Sequence, residues 1–282
     1  MLLNFYLKKI RMNDLRNQLT KEGYIKINNL IDKKLLTKLN ILTTDLVNNQ
    51  TEKEKKEQVS TGSMISVSNH ENFLSLIIND ELLKIFNRMG YSNPKWSSGY
   101  IIGKESNSAP LYWHTDWWAW DDPISFANET PMIFVMFYLT NTNKENGCLR
   151  VIPGSHLKYN EVHKYIKKHH SHYRLYNNPD DPVFKSVKDE LDVTSNLGDV
   201  IIGDARILHA AHPNLSNEIR TVVTLWYYPD FDQLPDHIKA SSEDHHKWPK
   251  NWNEKSLDIL KKYFPKYEGN AKKIKWNRIR YE

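Results

Sequence analysis

A histidine and an aspartate one residue apart, His114 and Asp116, lie in the run Trp113-His-Thr-Asp-Trp-Trp-Ala-Trp120, which holds four of the chain's nine tryptophans. Taking such polar groups out of water costs roughly 2–7 kcal/mol each unless something pairs with them. A bound metal ion would be one such partner. On a strand, residues two apart share a face, so the imidazole and the carboxylate converge while Thr115 points away. Two donors hold a divalent ion poorly, so a metal site needs a third, from another inward-facing strand.

The stretch Gly198-Asp-Val-Ile-Ile-Gly-Asp-Ala-Arg-Ile-Leu-His209-Ala-Ala-His-Pro-Asn-Leu-Ser-Asn-Glu-Ile-Arg220-Thr-Val-Val-Thr-Leu-Trp226 offers that donor. Two strand-like runs flank a turn at 213–216, and positions 209 and 220 are equally far from its centre. His209 and Arg220 are therefore expected to approach one another, across a hairpin or from facing sheets. Arg220 would otherwise be an expensive charge amid Ile219, Val222, Val223 and Leu225, so its fork requires an anion, best a carboxylate. A structural ion pair with Asp199, Asp204 or Glu218 is the competing account. Two histidines and a carboxylate on one face of an octahedral ion make the facial triad of non-haem Fe(II) oxygenases, leaving three positions for a bidentate co-substrate and O2.

The elements that must place these residues change character along the chain. Residues 13–90 read as helical with one early strand: a helix over 13–22 stopped by Gly23, a strand over 24–27, a helix from Asp32 with a leucine stripe, and a third over 73–89. The charged run 51–58 reads as a polar linker or an exposed helix end. From Lys95 to Pro229, short β-branched and aromatic runs alternate with turn residues, which suggests a sandwich or barrel. The polar segment 157–189 reads as an excursion from the sheets, with His163, His169, His170 and His172 solvated. Beyond Pro229 a short helix is expected to dock, and His245 and His246 are read as solvated.

With 282 residues, 39% apolar and 12% aromatic, the chain can bury a substantial core. Its net charge is +5, but residues 247–282 carry eleven Lys or Arg against four Asp or Glu, so the remainder is slightly acidic. That basic stretch has no base-reading motif, so nucleic acid is not an expected partner. One cysteine, Cys148, excludes an internal disulfide and a thiolate cluster. No run of apolar residues is long enough to span a membrane, and the opening MLLNFYLKKIRM breaks at Lys8 before a signal core accumulates. The expectation is a soluble cytoplasmic protein with a small-molecule substrate.

The arrangement His114-x-Asp116, distal His209 and Arg220 resembles the Fe(II)/2-oxoglutarate oxygenases, and more closely the phytanoyl-CoA dioxygenase family. KEGYIKINNLIDKKLLTKL is similar to that family's opening, ENGCLRVIPGSH to its Asn-Gly-Cys-Leu and Pro-Gly-Ser-His block, and GDVIIGDARILHAAHPNLSNEIR to its distal segment. The resemblance implies an α+β fold: a double-stranded β-helix, or jelly-roll, cupin-like barrel, with N-terminal helices and a C-terminal extension. The resemblance covers most of residues 13–229, and one domain over 1–282 is expected, with the helical part at 13–90, the barrel at about 95–229 and the basic extension at 230–282. It further implies that His114, Asp116 and His209 bind Fe(II), that Arg220 grips the C5 carboxylate of 2-oxoglutarate, and that O2 is consumed in hydroxylating a small organic substrate. Members often place a hydroxyl two residues after the distal histidine; Ala211 stands there, so Thr221, Tyr138 or Tyr100 is expected to substitute. Trp117 and Trp120 are candidates to wall the pocket mouth, Trp113 and Trp118 to be core, and Asp204 with Arg206 to be a structural pair. An inactive ligand- or protein-binding barrel and a zinc hydrolase are the rival functions, and a halogenase is disfavoured by Asp116.

Overall fold

The computed structural model describes residues 12–282; the MLLNFYLKKIR segment, with the signal-core reading attached to it, lies outside the described residues. Among the described residues, ten strands form two antiparallel sheets. A six-stranded sheet runs in the order β1 (Tyr24–Ile27), β8 (Val200–Asp204), β5 (Ile133–Tyr138), β10 (Arg220–Tyr228), β3 (Lys95–Lys104), β2 (Ile65–Ser66). A four-stranded sheet runs β4 (Leu111–His114), β9 (His209–Ala211), β6 (Leu149–Val151), β7 (Leu191–Val193). The two stack as the halves of a jelly roll, with helices on the outside, which is the expected α+β architecture.

β5 and β10 show how sequence sets the layers. Every residue of β5 is buried, because the strand is covered on both faces. Its odd positions, Ile133, Val135 and Phe137, join Val223, Leu225 and Tyr227 of β10 in a core shared with the helices Met12–Glu22, Lys33–Asn48 and Asp80–Arg88. Its even positions, Phe134, Met136 and Tyr138, meet Val222, Leu149 and Val151 between the sheets. The two-residue period thus decides which side chains line the interior.

Several expectations need correction. The helix read over 73–89 is two, Leu74–Ile77 and Asp80–Arg88, because the Asn79 side chain accepts the Leu82 N–H and caps a new start. The excursion at 157–189 is not only surface: Val162, Ile166, Tyr173, Val183 and Phe184 pack with Tyr112 and Trp113 on the outer face of the smaller sheet. The charged run becomes a helix, Glu52–Glu57, with a Thr51–Glu54 capping box. No helix among the described residues is long and apolar enough to cross a membrane.

The C-terminal extension is not a solvated tail. The helices Asp236–Ser242 and Glu254–Leu260 dock, and the following chain crosses the β4 end of the jelly roll as a strap. The Asn277 N–H donates to the Trp118 carbonyl at 2.8 Å and its carbonyl accepts from the Trp120 N–H at 3.1 Å, a parallel bridge centred on Ala119. Arg280 is buried over the Trp120 ring and donates to the carbonyls of Ser155 and Leu157, each at 3.0 Å. His245 stacks on Trp276 and His246 packs edge-on to Tyr228 and Phe264, so neither is solvated as expected.

Candidate metal centre

β4 ends at His114 and β9 begins at His209, and the two are Cα partners across the strand pair, with ring centroids 4.1 Å apart. Past His114 the chain leaves the ladder. The backbone N–H groups of Asp116 and Trp117 both donate to the Ala205 carbonyl at 2.8 Å, which turns the Asp116 carboxylate back toward the histidines. Asp116 Oδ1 lies 3.6 Å from His114 Nε2, and Asp116 Oδ2 lies 3.6 Å from His209 Nε2. All three donor atoms fall within 4.8 Å of one another. Donors bound at about 2.1 Å to one ion, at angles of about 90 to 120°, lie roughly 3.0 to 3.6 Å apart, so a small contraction completes the set.

The ring nitrogens are sorted by the same local device. His114 Nδ1 is 2.9 Å from the Tyr112 carbonyl and His209 Nδ1 is 3.1 Å from the Ile207 carbonyl, each two residues back. Nδ1–H donates to each carbonyl, which leaves each Nε2 lone pair for a metal. Burial, reinforced by His209, pushes the His114 pKa down to about 3, so it is neutral at pH 7 as a ligand must be. Burial would raise the Asp116 carboxyl, but His209, His114, Arg278 and the Trp226 indole outweigh it and hold it below its ordinary value. The indole contribution is direct: Trp226 Nε1 donates to Asp116 Oδ2 at 2.9 Å.

Arg220 opens β10 in the opposite sheet, so of the two routes by which it was expected to near His209, the facing sheets are realised and the hairpin is not. It is buried, its Nε has no hydrogen-bond partner, and no carboxylate pairs with it among the described residues. Of its three expected structural partners, Asp199 pairs with Lys26 at 3.1 Å and Asp204 with Arg206 at 2.7 Å, and Glu218 is not within ion-pair distance of it. Gly147 makes room for it at a φ of +88°, where a Cβ would stand 3.0 Å from the His212 carbonyl. Tyr138 of β5 and Cys148 sit within electrostatic reach of the guanidinium.

The other expected residues divide. Thr221 shares the helix-facing side of β10 with Val223 and Leu225, so strand alternation carries it to the face opposite the Arg220 guanidinium. Tyr138 is on the interior face beside Arg220. Tyr100 also faces inward, edge-on to Trp226 at 5.9 Å, but its hydroxyl is 3.2 Å from Lys247 Nζ. Trp117 and Trp120 do not wall an opening: both are buried, donating to Ser125 Oγ and Thr115 Oγ1, and Arg280 covers Trp120. Trp113 and Trp118 are core, as expected. Asp204 and Arg206 form a fully buried pair, and Arg206 also donates to the Ala127 carbonyl at 2.6 Å.

Sequence reasoning missed three neighbours of the site. Trp226 has the same strand parity as Arg220, and that signal was readable. His170, taken for a solvated histidine, is buried with its ring centroid 5.1 Å from that of His114. Arg278 of the strap brings its Nη1 to 3.5 Å from His170 Nδ1. A second cluster, Cys148, Asp192 and His212, also brings donor atoms together. There burial raises the thiol to about 11, so it stays protonated, and His212 spends its Nε2 on Asp192 at 2.6 Å. A cavity of about 910 Å³ opens beside Lys55, Arg150 and His212, and none of the triad lines it. The candidate metal centre is therefore singled out by donor geometry, not by cavity size.

The profile of the phytanoyl-CoA dioxygenase (PhyH) family matches residues 19–222. A probable alpha-ketoglutarate-dependent hypophosphite dioxygenase of Stutzerimonas stutzeri is 24% identical over 180 residues, 62% of this chain and 60% of that protein. The chain thus matches under two thirds of that relative's length. In fold it is similar to the epimerase SnoN from nogalamycin biosynthesis, solved with Fe3+, alpha ketoglutarate and nogalamycin RO (18% identity, TM-score 0.57, 77% of this chain and 83% of that one). HygX from Streptomyces hygroscopicus, solved with nickel and 2-oxoglutarate, is similar at 16% identity and TM-score 0.55, over 77% of this chain and 87% of that one.

Proposed function

Because this chain belongs to the phytanoyl-CoA dioxygenase family, we propose that it is an Fe(II)/2-oxoglutarate-dependent dioxygenase that hydroxylates a small organic molecule with release of succinate and CO2. The observation that carries this reading is the convergence of His114, Asp116 and His209 inside a jelly roll whose facing sheet presents the unpaired guanidinium of Arg220. A zinc hydrolase would use the three donors and leave Arg220 without a role.

Iron bound at this triad supplies O2 activation coupled to oxidative decarboxylation of the 2-oxo acid. The chain's part is placement and exclusion of water. His114 and His209 give neutral lone pairs, fixed in tautomer by backbone carbonyls. Asp116 offsets one positive charge and is steadied by Trp226. Arg220 receives the distal carboxylate as a two-pronged donor. Tyr138 takes the place of the hydroxyl that Ala211 lacks, because it lies on the interior face next to Arg220 whereas Thr221 does not. Phe134, 4.9 Å from the His209 ring, together with Met136 and Val222, keeps the space between the sheets dry.

The named substrates of relatives, hypophosphite for one and nogalamycin RO bound to another, differ so widely that membership does not fix this chain's substrate. The deciding experiment is anaerobic titration with Fe(II) and then 2-oxoglutarate, followed by measurement of O2-dependent succinate. One Fe(II) and one 2-oxoglutarate per chain, with succinate formed and lost on His209→Ala, are expected. Absence of stoichiometric metal would leave a binding module, and metal binding without 2-oxoglutarate consumption would leave a hydrolase.

A further inference from the structure

The strap carries a second arginine to the metal centre. Asn277 and Arg280 are both pinned to the protein body, Asn277 by the bridge at Ala119 and by donation to Asp121 Oδ1 at 2.8 Å, Arg280 by the carbonyls around Ser155. Arg278 between them is half-buried and reaches the His170 ring, within electrostatic reach of Asp116 and Tyr112. Its neighbour is the His170 ring, which itself stands edge-on to His114 at 5.1 Å. His170 opens the short helix His170–Arg174, and the last residue of that helix, Arg174, faces the same group, beside Tyr112.

None of these donors is satisfied by an acid. Among the described residues no carboxylate lies within ion-pair distance of Arg278 or of Arg174, not even Asp116, whose Oδ2 accepts from Trp226 and whose two oxygens face the histidines. His170 is buried and its Nε2 has no hydrogen-bond partner, and Arg174 Nε is buried without one. On the reading given above, which this inference rests on, a metal dication and the 2-oxoglutarate dianion cancel, and Asp116 and Arg220 cancel. The two further guanidiniums, both half-buried, therefore leave the substrate side of the centre with surplus positive charge that is only partly solvated.

We infer that Arg278, with Arg174 and His170, binds a compact oxyanion of the substrate, a carboxylate, phosphonate or phosphate, and so holds the bond to be oxidised beside the metal. Guanidinium forks match such groups with paired, charge-assisted hydrogen bonds. The enzyme would then select small anionic molecules and reject their neutral amides and esters. The eleven basic residues of the C-terminal stretch acquire a direction from this: most are solvated, but Arg278 is turned inward.

The test uses the full chain loaded with Mn(II) and saturating 2-oxoglutarate, so that the Arg220 site is filled. Methylphosphonate is titrated while its 31P line is followed, since Mn(II) broadens only a nucleus held close to it. Acetate serves as a competing oxyanion, and the methyl ester of acetate as the uncharged control. We expect saturable broadening reversed by acetate and not by the ester, weakened by at least about tenfold in Arg278→Gln and largely retained in Arg278→Lys. Equal affinity in wild type and Arg278→Gln would mean that the anion sits on Mn(II) alone and would overturn the inference. Failure of any oxyanion to bind, with Mn(II) and 2-oxoglutarate both bound, overturns it as well. An Arg278→Gln protein that also loses Mn(II) would make Arg278 a structural post and has the same consequence. Failure of wild type to bind Mn(II) or 2-oxoglutarate instead overturns the oxygenase reading.

Discussion

The hydrogen bond from Trp226 to Asp116 gives a quantitative handle on the metal site. Replacing Trp226 with Phe removes one donor, held 2.9 Å from Oδ2, while leaving an aromatic ring against Tyr100. A hydrogen bond to a charged group contributes about 1.5–3 kcal/mol, and its loss leaves a buried carboxylate oxygen exposed to no replacement. The freed carboxylate can rotate away from the direction shared by His114 and His209, so the deficit falls on metal binding. At about 1.4 kcal/mol per tenfold, Kd for the metal should rise by roughly ten- to a hundredfold, the range found for partners that orient metal ligands. Mn(II) titration followed by electron paramagnetic resonance measures this directly, with circular dichroism to verify the fold. A Kd within about twofold of wild type would refute the argument that this indole orients the carboxylate.

Four further outcomes follow from the same geometry. Arg220→Gln should weaken 2-oxoglutarate binding by at least about a hundredfold with Mn(II) affinity little changed, because a charged, two-pronged contact is lost; calorimetric titration with 2-oxoglutarate reads it. Thr221→Val should leave that affinity within about threefold, since its side chain faces the helices; a large loss would contradict the strand parity assigned here. Arg206→Met strands the buried Asp204 carboxylate and should destabilise the chain by about 3–5 kcal/mol in urea unfolding. Burial lowers His114 to about 3, His163 to about 4 and His246 to about 3. The unfolded chain, with histidines near 6.5, then binds more protons below that value, so the urea midpoint of the metal-free protein should rise from pH 4.5 to 6.5 and level above it. A flat midpoint over that range would show these histidines free to charge in the fold.

What the sequence disclosed is what strand alternation controls. The parity of Arg220 with Val222 and Trp226 follows from a period of two, so the facing guanidinium was readable without coordinates; the triad's residues were readable as well, but Asp116 lies past the end of β4 and is turned to the histidines by the Ala205 carbonyl, not by strand alternation. The helix break at Asn79 was less so, because an Asn cap inside a continuous apolar stripe changes direction without changing composition. His170 and Arg278 were not readable at all. They lie in lysine-rich stretches whose local polarity says surface, and they are drawn inward by a strap that meets β4 from far along the chain. Thr221 failed for the converse reason: adjacency in sequence to Arg220 put it on the opposite face of the strand.

One rung of sheet joins His114 to His209, and it has a consequence for which ions the centre tolerates. The spacing of the two imidazoles is inherited from strand pairing and so is stiff, whereas Asp116 hangs beyond the ladder on two N–H contacts to a single carbonyl. Accommodation of a larger or smaller cation must therefore be taken up by the aspartate arm. Across a series of divalent ions, the nitrogen donors would keep their bite while the oxygen donor lengthens or swings.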